Sequence, residues 1–286
     1  MLSLGIVAVP ILGMGEAATA TSSNGALGDA AQGGQVASIS PPTVTVTLDP
    51  GECTTVKKTV TTTEMPAQAD VVFAFDRTGS MDAILSAAKS KAEDIMTNLD
   101  ATGVDINYGV MSYMDYPHAY APENNCDYQD YHDPPWPYGR SYDYPYSLDQ
   151  AVTSNRTAVT TAINALTVLN DNSGADDPEA YTRIMYESYA DLNVSWRDGA
   201  KKILVNFADS VPHDCNLNEG VPGTTNTWNM GGDPGRDKDM GTADDLNLQT
   251  VLAEMDADGV KLLECHTYFD WVSPCGVNVL DYWDHW

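Results

Sequence analysis

The apolar run Val71 to Phe75 stops at a carboxylate, Asp76, and two hydroxyls follow at alternate positions, Thr78 and Ser80. A second, largely apolar run, Ile203 to Phe207, broken only by Asn206, leads through Ala208 to another carboxylate, Asp209. Two carboxylates and two hydroxyls make an all-oxygen donor set. Such a set selects a hard divalent cation, Mg²⁺, Mn²⁺ or Ca²⁺. Hydroxyl ligands carry no charge, so the cation stays electron-poor and accepts one further anionic oxygen, which a partner's Asp or Glu can supply. A competing reading has Thr78 and Ser80 merely capping the helix that follows. Capping requires neither Asp76 nor Asp209.

These residues act together only if the surrounding elements bring them to one place. Val71 to Phe75 reads as a strand buried on both faces. After Gly79, apolar residues fall at Met81, Ile84, Leu85, Ala88, Ala92, Ile95, Met96 and Leu99, which is helical spacing. Further strands are expected at Ile106–Tyr113, Ile203–Phe207 and Val260–Cys265. Helices are expected at Ala158–Leu169, at Leu246–Met255 and at Pro178–Tyr189, where the proline is tolerated in the first turn. This alternation predicts an α/β fold, a doubly wound, mostly parallel sheet flanked by helices. Ligands of such sheets sit beyond the carboxyl ends of the strands, so Asp76 and Asp209 belong on one rim. Residues 41–68 alternate β-branched and polar side chains about Asp49-Pro50-Gly51, a short β-rich segment ahead of the sheet. Residues 21–40, rich in Gly, Ser and Ala, read as a linker.

The pattern Asp76-x-Thr78-x-Ser80, set between a buried strand and a long helix, resembles the metal-ion-dependent adhesion site of von Willebrand factor A domains, a Rossmann-like fold. The stretch "PTVTVTLDPGECTTVKKTVTTTEMPAQADVVFAFDRTGSM" is similar to the start of the A-type domain of integrin β subunits, including a Leu-x-Pro-Gly-Glu turn from a flanking β-sandwich (hybrid) domain. "DDPEAYTRIMYESY" and "SWRDGAKKILVNFADSVPH" resemble later segments of the same domain. The resemblance implies that Asp76, Thr78, Ser80, Glu179 and Asp209 hold Mg²⁺ or Mn²⁺. It implies a neighbouring Ca²⁺ site from Asp176, the Pro178 carbonyl and Glu179, with Asp115 as a further ligand. The alternative for Asp176 and Asp177 is charge complementing a helix N-terminus. The family's third site uses paired acids after the serine, whereas here Asp82 is followed by Ala83 and Ile84. Residues 69–286 are expected to form the A domain, with an insertion at 115–149 and a C-terminal truncation that suggests a fragment of a longer surface protein.

That insertion is crowded with Tyr, Asp and Pro. It falls where integrin β subunits carry their specificity loop, which makes Tyr128, Tyr131, Trp136, Tyr138, Tyr142 and Tyr144 candidates for a ligand-binding surface. Its alternative is an insertion that only packs on its own domain. Residues 233–245 read either as a further calcium loop or as a solvated acidic loop.

A net charge of -27 excludes nucleic acid as a partner, because phosphate binding needs a basic face. The acid excess fits adaptation to high salt, cation binding or plain solubility. Five cysteines at wide spacing suit disulfides in an oxidising compartment, with one thiol left over or paired outside this chain, and Cys265 is expected to pair with Cys275, which is close in sequence. The N-terminal apolar run is about a dozen residues, too short to span a bilayer. With Ala18-Thr19-Ala20 behind it, this run reads as a secretory signal lacking basic residues, or else as a buried strand. Membrane anchoring is not visible in the sequence, and a secreted or surface location is expected. Hydrolase, P-loop and zinc-protease motifs are missing, so no enzyme is expected. His213, after the strand bearing Asp209, reads as a loop histidine near the rim, with a general base as the alternative. Two functions remain. One is adhesion to a protein ligand presenting Asp or Glu, with a partner subunit or self-association. The other is a structural subunit of a surface layer or filament whose metal stabilises the fold.

Overall fold

The computed structural model describes residues 38–40, 59–61, 68–117, 138–169, 173–217, 230–266 and 279–286. The chain divides into two units, Met1–Met65 and Pro66–Trp286. In the first, β1 (Ser38–Ser40) pairs antiparallel with β2 (Thr59–Thr61). β1 lies at the end of the stretch read as a linker. The register sets Ile39 opposite Val60, two β-branched residues suited to a strand.

The second unit holds a five-stranded sheet of order β5-β4-β3-β6-β7. Its strands are β3 (Gln68–Asp76), β4 (Asp105–Tyr113), β5 (Ser147–Thr153), β6 (Lys201–Ala208) and β7 (Val260–His266). All pairings are parallel except that of β5 with β4. The doubly wound, mostly parallel α/β fold expected from the sequence is therefore present. Five helices accompany the sheet in the described residues: α1 (Leu85–Asp100), α2 (Arg156–Ala165), α3 (Tyr181–Ala190), α4 (Leu248–Ala257) and α5 (Val279–His285).

The alternation of side chains along β3 explains the two layers. Val71, Phe73 and Phe75 pack with Leu85, Ala92 and Met96 of α1 and with Val159 and Ile163 of α2. Val72 and Ala74 pack on the other face with α3, α4 and α5. Each large side chain so buried contributes about 1.5–3 kcal/mol. At the amino edge of the sheet, Arg197 donates to Asp70 at 2.6 Å, to Asp105 at 2.9 Å and to the Ala69 carbonyl at 2.7 Å. One guanidinium thus ties the starts of β3 and β4.

Three elements depart from the expectation. β5 lies partly inside the aromatic insertion and adds an antiparallel edge strand. α2 ends at Ala165, because Leu166 turns extended, with its side chain packed into the core. α3 starts at Tyr181, not at Pro178. The preceding backbone is committed elsewhere, with the Glu179 amide donating to the Val211 carbonyl at 3.0 Å and the His213 amide to the Glu179 carbonyl at 3.4 Å.

Cys265 is a free thiol, which corrects the expected pairing with Cys275. It points from β7 into the α1-side core, away from any crosslink. Cys215 is disulfide-bonded. Among the described residues no helix is long and apolar enough to cross a membrane. Residues 1–20 and the Asp49-Pro50-Gly51 turn lie outside the described residues.

Candidate metal centre

The parallel strands deliver their carboxyl ends to one edge. Asp76 is the last residue of β3, and Asp209 follows β6 directly. Asp76 is fully buried. Its Oδ1 accepts from the Thr78 hydroxyl at 2.6 Å and the Thr78 amide at 2.8 Å, and its Oδ2 accepts from the Tyr181 hydroxyl at 2.8 Å. The Thr78 and Ser80 hydroxyls lie 3.3 Å apart, and Ser80 donates to Asp209 at 3.2 Å. Neither hydroxyl caps a helix. Thr78 sits at the N-cap of the 3₁₀ turn Gly79–Ala83 but makes no side-chain cap bond. A continuous chain of oxygens thus runs from Asp76 through Thr78 and Ser80 to Asp209.

Tyr181 holds the two strand ends together from beneath. Its hydroxyl oxygen accepts from the amides of Ser210 at 2.9 Å and Asp209 at 3.3 Å while donating to Asp76. Trp283 of α5 packs edge-on against the Tyr181 ring and donates to the Ser210 carbonyl at 2.8 Å.

Glu179 comes to the same edge through its backbone bridge to the loop after β6. Its Oε2 is buried with no hydrogen-bond partner. Gly174, at φ +68°, lies so close that a Cβ there would come within 2.5 Å of Glu179 Oε1. Gly174→Ala combines that clash with an unfavourable backbone conformation, so about 1–3 kcal/mol of stability is expected to be lost. Divalent-cation affinity falls with it, because Glu179 is pushed aside. Urea unfolding and calorimetry read the two effects separately.

Burial is the first cause that raises the carboxyls of Asp76 and Glu179 above their ordinary range. For Glu179 the charges of Asp76, Asp115, Asp176 and Asp209 raise it further. Burial and then the Asp76 charge push Asp209 up to about 7. Among the described residues no lysine or arginine forms an ion pair with Asp76, Glu179 or Asp209. Crowded acids, an orphaned buried oxygen and neutral hydroxyls are the environment a hard divalent cation neutralises. The donor set therefore fits a hard divalent cation. Ser80 is exposed and Asp209 half-buried, so the edge opens to solvent on that side.

A second cluster lies beside the first. Asp115, just beyond β4, meets Asp176 and His213, and the ligand atoms of all three lie within 4.8 Å of one another. Pro178 is buried in the same segment as Asp176. No acidic residue occupies the first turn of α3, so Asp176 and Asp177 do not serve its dipole. Sequence reading placed His213 near the rim but assigned it no ligand role. A lone histidine has no spacing signal. Its only cue was its position four residues past Asp209. Asp82 is exposed.

The aromatic candidates divide. Tyr138 is buried and stacks on His213 at 3.8 Å, so its ring offers no surface to a partner. The Tyr144 hydroxyl bonds to Arg77 and to Ser112, which pins it to the sheet edge. Tyr142 is exposed. Tyr128, Tyr131 and Trp136 lie outside the described residues. In the acidic loop, Asp244 and Asp245 accept backbone amides of Arg236, Asp237 and Gly241, so those carboxylates fold the loop itself.

No family model matches the chain, and no curated protein is similar to it. Among solved structures it is similar to proximal thread matrix protein 1 from the mussel byssus, with 13% identity, a TM-score of 0.37, and coverage of 69% of this chain and 37% of that one. Another structure of that protein, described as having a zinc occupied MIDAS motif, is 12% identical with a TM-score of 0.34, over 69% of this chain and 37% of that one. The pilus adhesin SpaC from Lactobacillus rhamnosus GG is 17% identical with a TM-score of 0.41, over 70% of this chain and 24% of that one. The chain spans well under half the length of each. A likeness this distant assigns no role to any residue.

Proposed function

We propose that this chain is a cation-dependent protein-binding module of the von Willebrand factor A type, in which Asp76, Thr78, Ser80, Asp209 and Glu179 hold Mg²⁺ or Mn²⁺. The observation that carries this reading is the oxygen chain from Asp76 to Asp209 across the ends of two adjacent strands, with no lysine or arginine ion-paired to those acids among the described residues. When bound, the cation supplies a Lewis-acidic point that accepts a carboxylate from a partner's Asp or Glu. The chain's own residues do the rest. Asp76 and Glu179 are buried, so they act as fixed anionic donors. Thr78 and Ser80 donate oxygen without adding charge, which leaves the cation short of negative ligands. Tyr181 keeps Asp76 and the Asp209 loop in register. An integrin β-like mode of partner binding and a secreted or surface location belong to this same reading.

The test uses Mn²⁺ as probe. The chain loaded with Mn²⁺ is titrated with a short, end-blocked peptide containing one aspartate, and water proton relaxation is followed. Relaxivity is expected to fall as the carboxylate displaces metal-bound water, and a matching asparagine peptide is expected to have no effect. If the two peptides behave alike, and sedimentation shows self-association that chelator reverses, the structural-subunit reading replaces this one.

A further inference from the structure

The cluster of Asp115, Asp176 and His213 has a feature that the acids at the sheet edge lack. His213 is buried, and its two ring nitrogens face different chemistry. Nδ1 lies 2.9 Å from the Met230 carbonyl oxygen, and Nε2 lies 3.0 Å from Asp115 Oδ1. A carbonyl only accepts, so Nδ1 carries the proton. In the neutral ring Nε2 is then a lone pair, and it points at a carboxylate oxygen. Two lone pairs at 3.0 Å repel unless something positive lies between them. That is either a proton, making an imidazolium–carboxylate pair, or a metal ion.

Three observations favour the metal. Asp115 Oδ2 is buried and has no hydrogen-bond partner, so a proton on His213 leaves half of that carboxylate unsatisfied. Asp176 brings a second carboxylate to the same point, so protons satisfy the cluster only if two are held there at once, whereas one metal ion serves all three groups. An Nδ1–H held by a backbone carbonyl is also the usual way in which a metal-binding histidine is oriented and its tautomer fixed. Tyr138 stacked on the ring at 3.8 Å holds it in that plane.

We propose that Asp115, Asp176 and His213 form a second cation site that takes one nitrogen and two carboxylate ligands and selects Zn²⁺ or a similar borderline transition metal over Ca²⁺. Imidazole suits zinc and its neighbours, whereas calcium takes six to eight oxygens. Three protein ligands suffice for zinc, with water in the remaining position. The site departs from the all-oxygen calcium site that the family resemblance implied. It stands independently of the adhesion reading, because neither Asp76 nor Asp209 belongs to it.

The full chain, stripped of metal and freed of chelator, is dialysed against Zn²⁺ with Mg²⁺ and Ca²⁺ in large excess, and bound zinc is measured. Wild type and Asp209→Asn are both expected to retain about one zinc per chain, whereas His213→Gln is expected to bind it about 100-fold or more weakly. Zinc lost in Asp209→Asn and kept in His213→Gln overturns the proposal and leaves the first site standing. Should His213→Gln fail to fold, nitrogen NMR of the unaltered chain decides. Zinc is expected to shift the His213 Nε2 resonance strongly. An unmoved resonance means that His213 is only an ion-pair partner of Asp115, and the proposal fails.

Discussion

Asp209→Asn is expected to bind Mg²⁺ about 100-fold more weakly than the wild type, or roughly 2.8 kcal/mol, yet to unfold at a higher temperature once both are stripped of metal. The opposite signs follow from one cause. Asp209 lies close enough to Asp76 for each charge to oppose the other, and burial deprives both of water. Asparagine keeps an oxygen that can accept from Ser80 and removes one of the repelling charges. The metal-free fold gains from that exchange, and the cation loses an anionic ligand. Calorimetry for Mg²⁺ and thermal unfolding in chelator measure the two effects. A variant that is destabilised without metal would show that Asp209 serves the fold and not a cation.

The second large effect is a pH-dependent gap between metal-loaded and metal-free stability. The folded chain holds the carboxyls of Asp76 and Glu179 above their ordinary range, and Asp209 at about 7. Unfolding returns each to its ordinary, lower value and releases a proton. The metal-free fold is therefore favoured at low pH, and it loses stability as pH rises from the ordinary carboxylate range, about 4, through about 7. A bound cation removes that loss by neutralising the same charges. At a concentration near a thousand times its dissociation constant the cation contributes about 4 kcal/mol. In a domain this large, that raises the melting temperature by roughly 8–16 °C. The difference between Mg²⁺ and chelator is expected to be large at about pH 8 and small at about pH 5. Differential scanning calorimetry at the two pH values decides, and an equal difference at both would place the cation elsewhere.

Much of this arrangement is legible in the sequence, for reasons that differ by element. β3 has a continuous apolar run and β6 a nearly continuous one, broken at Asn206, because helices cover both their faces, and a run that leads into aspartate places that aspartate on the rim. β5 escaped notice because Ser147–Thr153 is half-exposed, alternates weakly and hides among tyrosines and prolines. The start of α3 was misplaced because Pro178 is a good first-turn residue, while the bond that overrides it comes from Val211, far along the chain. His213 was underrated for a similar reason. Its meaning comes from Asp115 and the Met230 carbonyl, which only the fold brings to it.

The position of β3 has a mechanical consequence. It is the middle strand, in register with β4 from Gln68 to Asp76 and with β6 from Ala69 to Phe75, and parallel to both. A partner tugging on Asp76 along the strand loads both ladders in shear. Their hydrogen bonds share the force at once rather than opening one after another, as they would in a strand peeled from an edge. Arg197 anchors the far end of the same strand through Asp70 and the Ala69 carbonyl. Tension entering at the carboxylate rim is thus carried through the most heavily bonded strand in the sheet to a clamp at its opposite end.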